Sequence, residues 1–150
     1  MYNICYNNVE KCRKGKNSIM KTCYLTIKSI VDGAENSFFA DGKLERVDEK
    51  IKLSYCDDSA LIRLTFYDGK ARVDREGDYT LCLELAQGET TRGEIGINGN
   101  VGDLEICTHA IEFAHFGDGL TARLRYDILL GDDEQKMELH VQAKMKKGEV

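Results

Sequence analysis

The stretch "GEIGINGNVGDLEICTH" (93–109) carries a glycine at every third residue from 93 to 102, which invites comparison with loops that bind phosphate through backbone N–H groups. A dinucleotide-binding loop follows a strand, opens a helix and spaces its glycines as G-x-G-x-x-G. Here the residues that follow the glycines, "DLEICTH", alternate as a strand does. Asn98-Gly99 therefore predicts the tip of a hairpin. Gly93 and Gly96 are expected in its first arm, at a site of sharp curvature.

Metal binding and nucleophilic catalysis are the next possibilities. Cys107 and His109 are two residues apart, so on a strand both would point to the outer face, as His140 does by its own alternation. A zinc site needs three or four converging ligands, and no further ligand has a metal-site spacing. Asp57-Asp58 and Asp132-Asp133 are typical of acidic turns. We predict no metal, no cofactor and no catalytic residue, although carboxylates from distant strands could still form an acid–base pair.

Five polar or amphipathic side chains occupy positions that point inward by alternation and are otherwise apolar: Tyr55, Arg75, Tyr79, His115 and Tyr126. If they converge, they could orient a small apolar or acidic ligand in the interior or at the rim of a barrel. The alternative is that the tyrosines belong to the core with their hydroxyl groups satisfied near the rim. Arg75 would then close one end of the barrel, paired with protein groups. The sequence leaves both alternatives open.

The elements that position these residues are strands, because the dominant hydrophobic period is two residues. "LTARLRYDI" (120–128) and "MELHVQAKM" (137–145) each place apolar residues on one face. Asp32-Gly33 and Asp68-Gly69 are hairpin dipeptides, and Gly42 predicts a bulge or a barrel corner. No segment shows a sustained period of 3.6 residues. The predicted strands are 22–31, 36–46, 50–56, 61–67, 70–75, 79–86, 91–97, 101–108, 111–116, 120–130 and 135–146.

Strands joined by such short connections form an antiparallel meander. A sheet of this size tends to curl and close, which removes its edges, so we predict an all-β barrel of about eight to ten strands. Residues 20–147 are expected to form this single domain, behind a flexible tail at 1–19. The purine-rich codons expected for "RKGK" suggest an alternative, in which Met20 is the natural start.

Composition excludes several partners. The net charge of the 150-residue chain is −5 and its basic residues form no stripe, so nucleic-acid binding is disfavoured. The sequence contains neither an apolar run long enough to span a membrane nor a secretory signal. The six cysteines form no CxxC pair, which favours reduced thiols and a cytoplasmic location. The oligomeric state stays open.

Four motifs occur in an order that resembles the YwiB-like family of bacterial proteins of unknown function. They are "DGKLERVDEKIKLSYCDD", "YDGKARVDREG", "VGDLEICTHAI" and "LTARLRYDILLGDD". The similarity covers about 21–146 and departs from the family pattern at the turn 98–102. The resemblance implies a calycin-like, lipocalin-like antiparallel barrel and supplies no catalytic residues.

Together these observations predict a cytosolic bacterial binding module that holds a small ligand. The second hypothesis is a structural or protein-interaction module, which an exposed apolar patch would support. An unrecognised enzyme is the third.

Overall fold

The computed structural model describes residues 18–146. Of the predicted tail 1–19, only Ser18 and Ile19 fall in this range, and they begin the first strand. Within the described range, no helix has the length and apolar character needed to cross a membrane. The strands are β1 (Ser18–Val31), β2 (Ala34–Val47), β3 (Lys50–Asp57), β4 (Ala60–Tyr67), β5 (Lys70–Glu76), β6 (Tyr79–Ala86), β7 (Thr90–Ile97), β8 (Asn100–Phe116), β9 (Gly119–Leu130) and β10 (Asp133–Met145).

The ten strands form one closed antiparallel barrel. Every strand pairs with its neighbours along the chain, and β1 also pairs with β10 to close the sheet. At this seam Cys23 lies opposite Met145, and the amide of Lys146 donates to the carbonyl oxygen of Thr22 at 3.1 Å. The prediction of an all-β meander closed into a barrel is therefore confirmed.

Tight turns enforce this topology. Eight of the nine connections contain two residues, too few for a parallel crossover. At the tip of the β7–β8 hairpin, Asn98 and Gly99 have φ values of 52° and 82°. Positive φ at both central residues is what a type I′ turn requires. The glycine-rich stretch is thus a hairpin, as predicted.

The prediction of two separate strands at 101–108 and 111–116 was wrong, because both belong to β8. Their alternation differs because the register with β9 shifts between Thr108 and Ala110. His109 is the extra residue of this β-bulge. Thr108 lies opposite Tyr126, yet Ile111 lies opposite Leu124, so inward positions change from even to odd numbers.

Gly42 allows a close approach of strands and does not form a bulge. The register is unbroken on both sides, with Gly42 opposite Cys23 in β1 and opposite Tyr55 in β3. A Cβ atom at this position would lie 2.5 Å from Cδ1 of Leu25 and 2.8 Å from the carbonyl oxygen of Ser54. Glycine is needed here because any side chain would collide with its neighbours.

The barrel interior is packed with apolar side chains. In one row, Leu53, Leu64, Val73 and Leu83 follow one another across four strands. All four belong to a single cluster of buried residues, to which every strand except β7 contributes. The polar inward side chains must therefore lie at the two ends of the barrel. We call the end with the β2–β3, β4–β5, β6–β7 and β8–β9 connections mouth 1, and the opposite end mouth 2.

Candidate functional site

Four of the five predicted site residues gather at mouth 2. Tyr55 in β3 and Arg75 in β5 both lie opposite Ile62 of β4. Tyr79 begins β6, and Tyr126 is close enough to interact electrostatically with both Tyr79 and Tyr55. The side chains of Tyr55 and Tyr126 are only 5% and 4% exposed. Alternation predicted these four residues on the inner face, and the structure brings them together at one end of the barrel; their role in binding a ligand stays a prediction.

Arg75 is held in place by Asp78 in the β5–β6 connection and by Tyr79 at the start of β6. Its guanidinium carbon lies 3.6 Å from the centre of the Tyr79 ring. One terminal nitrogen donates to the carbonyl oxygen of Tyr79 at 2.6 Å, and the other donates to Oδ1 of Asp78 at 3.0 Å. This hydrogen bond holds the pKa of Asp78 below its ordinary value. The arrangement stabilises the β5–β6 connection, and it is the kind of pairing that the packing alternative requires.

The hydroxyl groups of Tyr55 and Tyr126 provide unused hydrogen-bonding capacity. Burial raises the pKa of Tyr126 to about 12, and burial followed by the charge of Asp57 raises the pKa of Tyr55 further above its ordinary value. Both groups therefore stay protonated at neutral pH. Neither hydroxyl is hydrogen-bonded to any residue between 18 and 146, although buried tyrosines usually find a partner.

The rim of mouth 2 is acidic. Four of its five connections contain an aspartate: Asp32, Asp58, Asp78 and Asp132. Arg75 could offset part of this negative charge, but it already pairs with Asp78. Coulomb repulsion by these aspartates disfavours an acidic ligand at mouth 2 and leaves an uncharged one acceptable. The connections of mouth 1 also carry acidic residues, so the two rims do not differ in this respect: Asp48, Glu49, Asp68, Glu89 and Asp118.

His115, the fifth predicted residue, lies at mouth 1, away from the other four. There it lines a pocket of about 150 Å³ together with Lys21 and Arg46, above the side chains of Leu44 and Met145. Arg46 donates a hydrogen bond from a terminal nitrogen to Nδ1 of His115 at 2.9 Å. Because a guanidinium has no acceptor, Nδ1 of the ring accepts, and the proton of the neutral ring is on Nε2.

Sequence reasoning missed two residues of this pocket. Lys21 precedes Cys23 and Leu25 by even steps, and Arg46 follows Leu44 by two residues, so each continues an inward row. A charged residue at the end of an apolar row was the signal that could have identified both. No carboxylate lines the pocket, and within the described chain neither Lys21 nor Arg46 forms a salt bridge.

The outward histidines pair with carboxylates. Nε2 of His109 lies 2.8 Å from Oδ2 of Asp127, and Nε2 of His140 contacts Oε2 of Glu138. Sγ of Cys107 lies 3.4 Å from Oγ1 of Thr90. Across residues 18–146, no three histidine, cysteine, aspartate or glutamate side chains are grouped so that they could hold a metal ion. These contacts give the outer histidines structural partners.

A groove of about 860 Å³ crosses the outer wall of the barrel over β2, β1, β10 and β9. Its walls include Tyr24, Phe39 and Phe116, whose side chains are 59%, 85% and 59% exposed. Its lining also includes Thr26 and Gln142, which lie opposite each other across the β1–β10 seam. Exposed apolar side chains bordered by polar residues are typical of interaction surfaces.

No protein-family model and no curated protein sequence matches the chain. The crystal structure of the ywiB protein from Bacillus subtilis is similar, with a TM-score of 0.72 and 18% sequence identity. The match covers 85% of this chain and 94% of that protein. At this level of identity the likeness concerns the fold, so this chain has the barrel fold of the Bacillus subtilis YwiB protein.

Proposed function

We propose that this protein is a small-molecule-binding barrel whose ligand lies at a mouth and not in the packed interior. One observation carries the proposal: inward side chains are apolar along the length of the barrel and become polar or charged at its ends. Tyr55, Tyr79, Tyr126 and Arg75 gather at one end, and His115 lies at the other. Convergent polar groups beside apolar surface are typical of ligand sites.

At mouth 2 the side chains suit an uncharged ligand with an apolar body. The rings of Tyr55 and Tyr79 would contact that body, and the hydroxyl groups of Tyr55 and Tyr126 would donate to or accept from its polar group. Arg75 would contribute as part of the rim, since its guanidinium is already fixed by Asp78. At mouth 1 an acidic ligand would meet two cationic side chains, Lys21 and Arg46.

We also propose that the protein works in the bacterial cytoplasm. Three cysteines in the described part of the chain are free thiols: Cys23, Cys82 and Cys107. Free thiols are the usual state in a reducing compartment.

Native mass spectrometry of freshly purified protein tests the proposed function. We expect a fraction of the protein to carry a small-molecule adduct. In the Tyr55→Phe/Tyr126→Phe variant, the rings and their packing remain but both hydroxyl groups are lost, so an adduct at mouth 2 should weaken. A mass equal to that of the bare chain, combined with no backbone amide shift at either mouth in a fragment screen by NMR, would refute ligand binding.

The alternative function is a protein-interaction module. The observation that favours it is the outer groove, where Phe39 is the most exposed of the large apolar side chains in the described chain. A stable dimer, or a protein captured in the same mass spectrum, would favour this alternative. Loss of that complex in Phe39→Ser would locate the interface at the groove.

A further inference from the structure

We infer that the pocket at mouth 1 is a site for a small carboxylate with a short apolar chain. Lys21, Arg46 and His115 would bind the carboxylate group, and Leu44 and Met145 would contact the chain. The inference rests on the proposed ligand-binding function, and it adds a separate site and a ligand class.

Three strands bring the polar groups together. Lys21 comes from β1, Arg46 from β2 and His115 from β8, and all three side chains line the same small pocket. The convergence depends on the bulge at His109. If β8 paired with β9 residue for residue, with His109 in the ladder, the even positions would face inward as far as the end of β8, and His115 would point away from the barrel. Bulges are used in this way to re-aim side chains at functional sites.

The charges of the pocket favour an anion. Two permanent cations and an imidazole line it without a carboxylate, in a chain whose net charge is −5. Among the described arginines, Arg72, Arg75 and Arg123 form salt bridges with carboxylates, and the other four, including Arg46, form none. Arg46 contacts only the imidazole of His115 within the described residues, which orients its guanidinium and leaves most of its donors available.

The volume of the mouth 1 pocket and its apolar base restrict which anions could bind there. A volume of about 150 Å³ corresponds to roughly five water molecules, enough for a ligand of about five to seven heavy atoms. Leu44 and Met145 are both buried beneath the charged rim, so part of the ligand must be apolar. Inorganic phosphate has no such part. A short-chain carboxylate supplies a planar anionic group for the fork of Arg46 and methylene groups for the floor.

NMR titration of the full-length protein tests the inference. The probes are acetate, butanoate and hexanoate, with butan-1-ol and inorganic phosphate as comparisons. We expect saturable amide shifts around residues 21, 46 and 115, with affinity rising about fourfold per methylene until the pocket is full. Butan-1-ol and phosphate should bind at least about tenfold more weakly than butanoate. Butan-1-ol lacks the negative charge, and phosphate lacks the apolar chain.

The variants are Arg46→Gln and, as a control, Arg92→Gln, which removes an equal charge from an exposed position on β7. Arg46→Gln should weaken butanoate about tenfold or more, whereas Arg92→Gln should leave it unchanged. The amide spectrum of each variant shows whether the barrel remains folded.

The outcomes separate the two proposals. Equal losses in both variants, or phosphate binding as tightly as butanoate, would refute the carboxylate site. Shifts confined to mouth 2 would also refute it while leaving the proposed function standing. No shift at either mouth, with no adduct in native mass spectra, would refute both.

Discussion

Replacing Gly42 with alanine should destabilise the barrel strongly, because two neighbours leave no room for a Cβ atom. The new atom would lie 2.5 Å from Cδ1 of Leu25 and 2.8 Å from the carbonyl oxygen of Ser54. The leucine is fully buried and the carbonyl belongs to the backbone, so neither can move away cheaply. Forcing extra atoms into a packed core typically costs about 1–3 kcal/mol.

With a backbone atom among the clashes, we expect a loss near the upper limit, roughly 3 kcal/mol. For a domain of this size, each kcal/mol lowers Tm by roughly 3–4 °C, so Gly42→Ala should lower it by roughly 10 °C. Thermal denaturation followed by circular dichroism measures Tm, and urea denaturation measures the free energy of unfolding.

The matched control is Gly102→Ala. Gly102 also lies within a strand, but the nearest atom to an added Cβ would be Cγ2 of Ile95 at 3.6 Å, an ordinary contact. Its substitution should change the free energy of unfolding by less than about 1 kcal/mol. In a Leu25→Ala background the Gly42→Ala penalty should shrink, because one of its two clashes is gone. Equal stabilities for Gly42→Ala and Gly102→Ala would refute the close-approach argument.

Three further predictions concern other parts of the barrel. Gly99→Ala should cost about 1–2 kcal/mol in urea denaturation, because the residue has a φ of 82°, and Gly99→Asn should cost less. In the Arg75→Gln variant, the pKa of Asp78 measured by NMR should rise toward its ordinary value. In the unchanged protein, the stabilisation from this pair is present at neutral pH and is lost as the pH falls through the lowered pKa of Asp78. An Asp78 titration that is the same in both proteins would contradict the pairing. Under native conditions a thiol reagent should label the exposed Cys56 much faster than the buried Cys23. Burial raises the pKa of Cys23 to about 12, so its reactive thiolate form is scarce at neutral pH. Equal labelling of the two cysteines in peptide mapping would contradict the burial of Cys23.

Much of the fold could be predicted because local rules decide it. Asn98-Gly99 and Asp68-Gly69 adopt positive φ at both turn positions, so the sequence of the turn determines the hairpin. The two-residue period then decides which face of each strand is buried. Closure follows from many short strands that must remove their edges.

The bulge in β8 could not be predicted by the same rules. A reversal of alternation after Thr108 is compatible with two strands separated by a turn and with one strand that contains an extra residue. Only the pairing partners distinguish them, and those partners, such as Tyr126 for Thr108 and Leu124 for Ile111, lie in another strand. The sequence of β8 alone carries no information about that register.

The composition of each mouth was also beyond local rules. Alternation correctly placed Tyr55 and His115 on the inner face, but it does not say at which end of the barrel an inward residue lies. The end at which a residue lies depends on how far each strand is shifted along its neighbour. The pairing between strands determines that shift. For the same reason the meeting of Arg46 with His115, two residues that are far apart in the chain, was not predicted.

The seam between β1 and β10 has a consequence for how the chain folds. Every other pairing joins strands that are consecutive in sequence, so the search for each of those partners is local. The seam alone brings together segments separated by most of the chain, as Cys23 and Met145 are, and its closure carries the largest loss of chain entropy. In a closed meander the position of that long-range step is set by where the chain happens to begin. A circular permutant that links Lys146 to Thr22 and opens the β5–β6 connection would shorten β1 by residues 18–21. It would still pair every strand with both neighbours, and it would move the slow closure to the other side of the barrel.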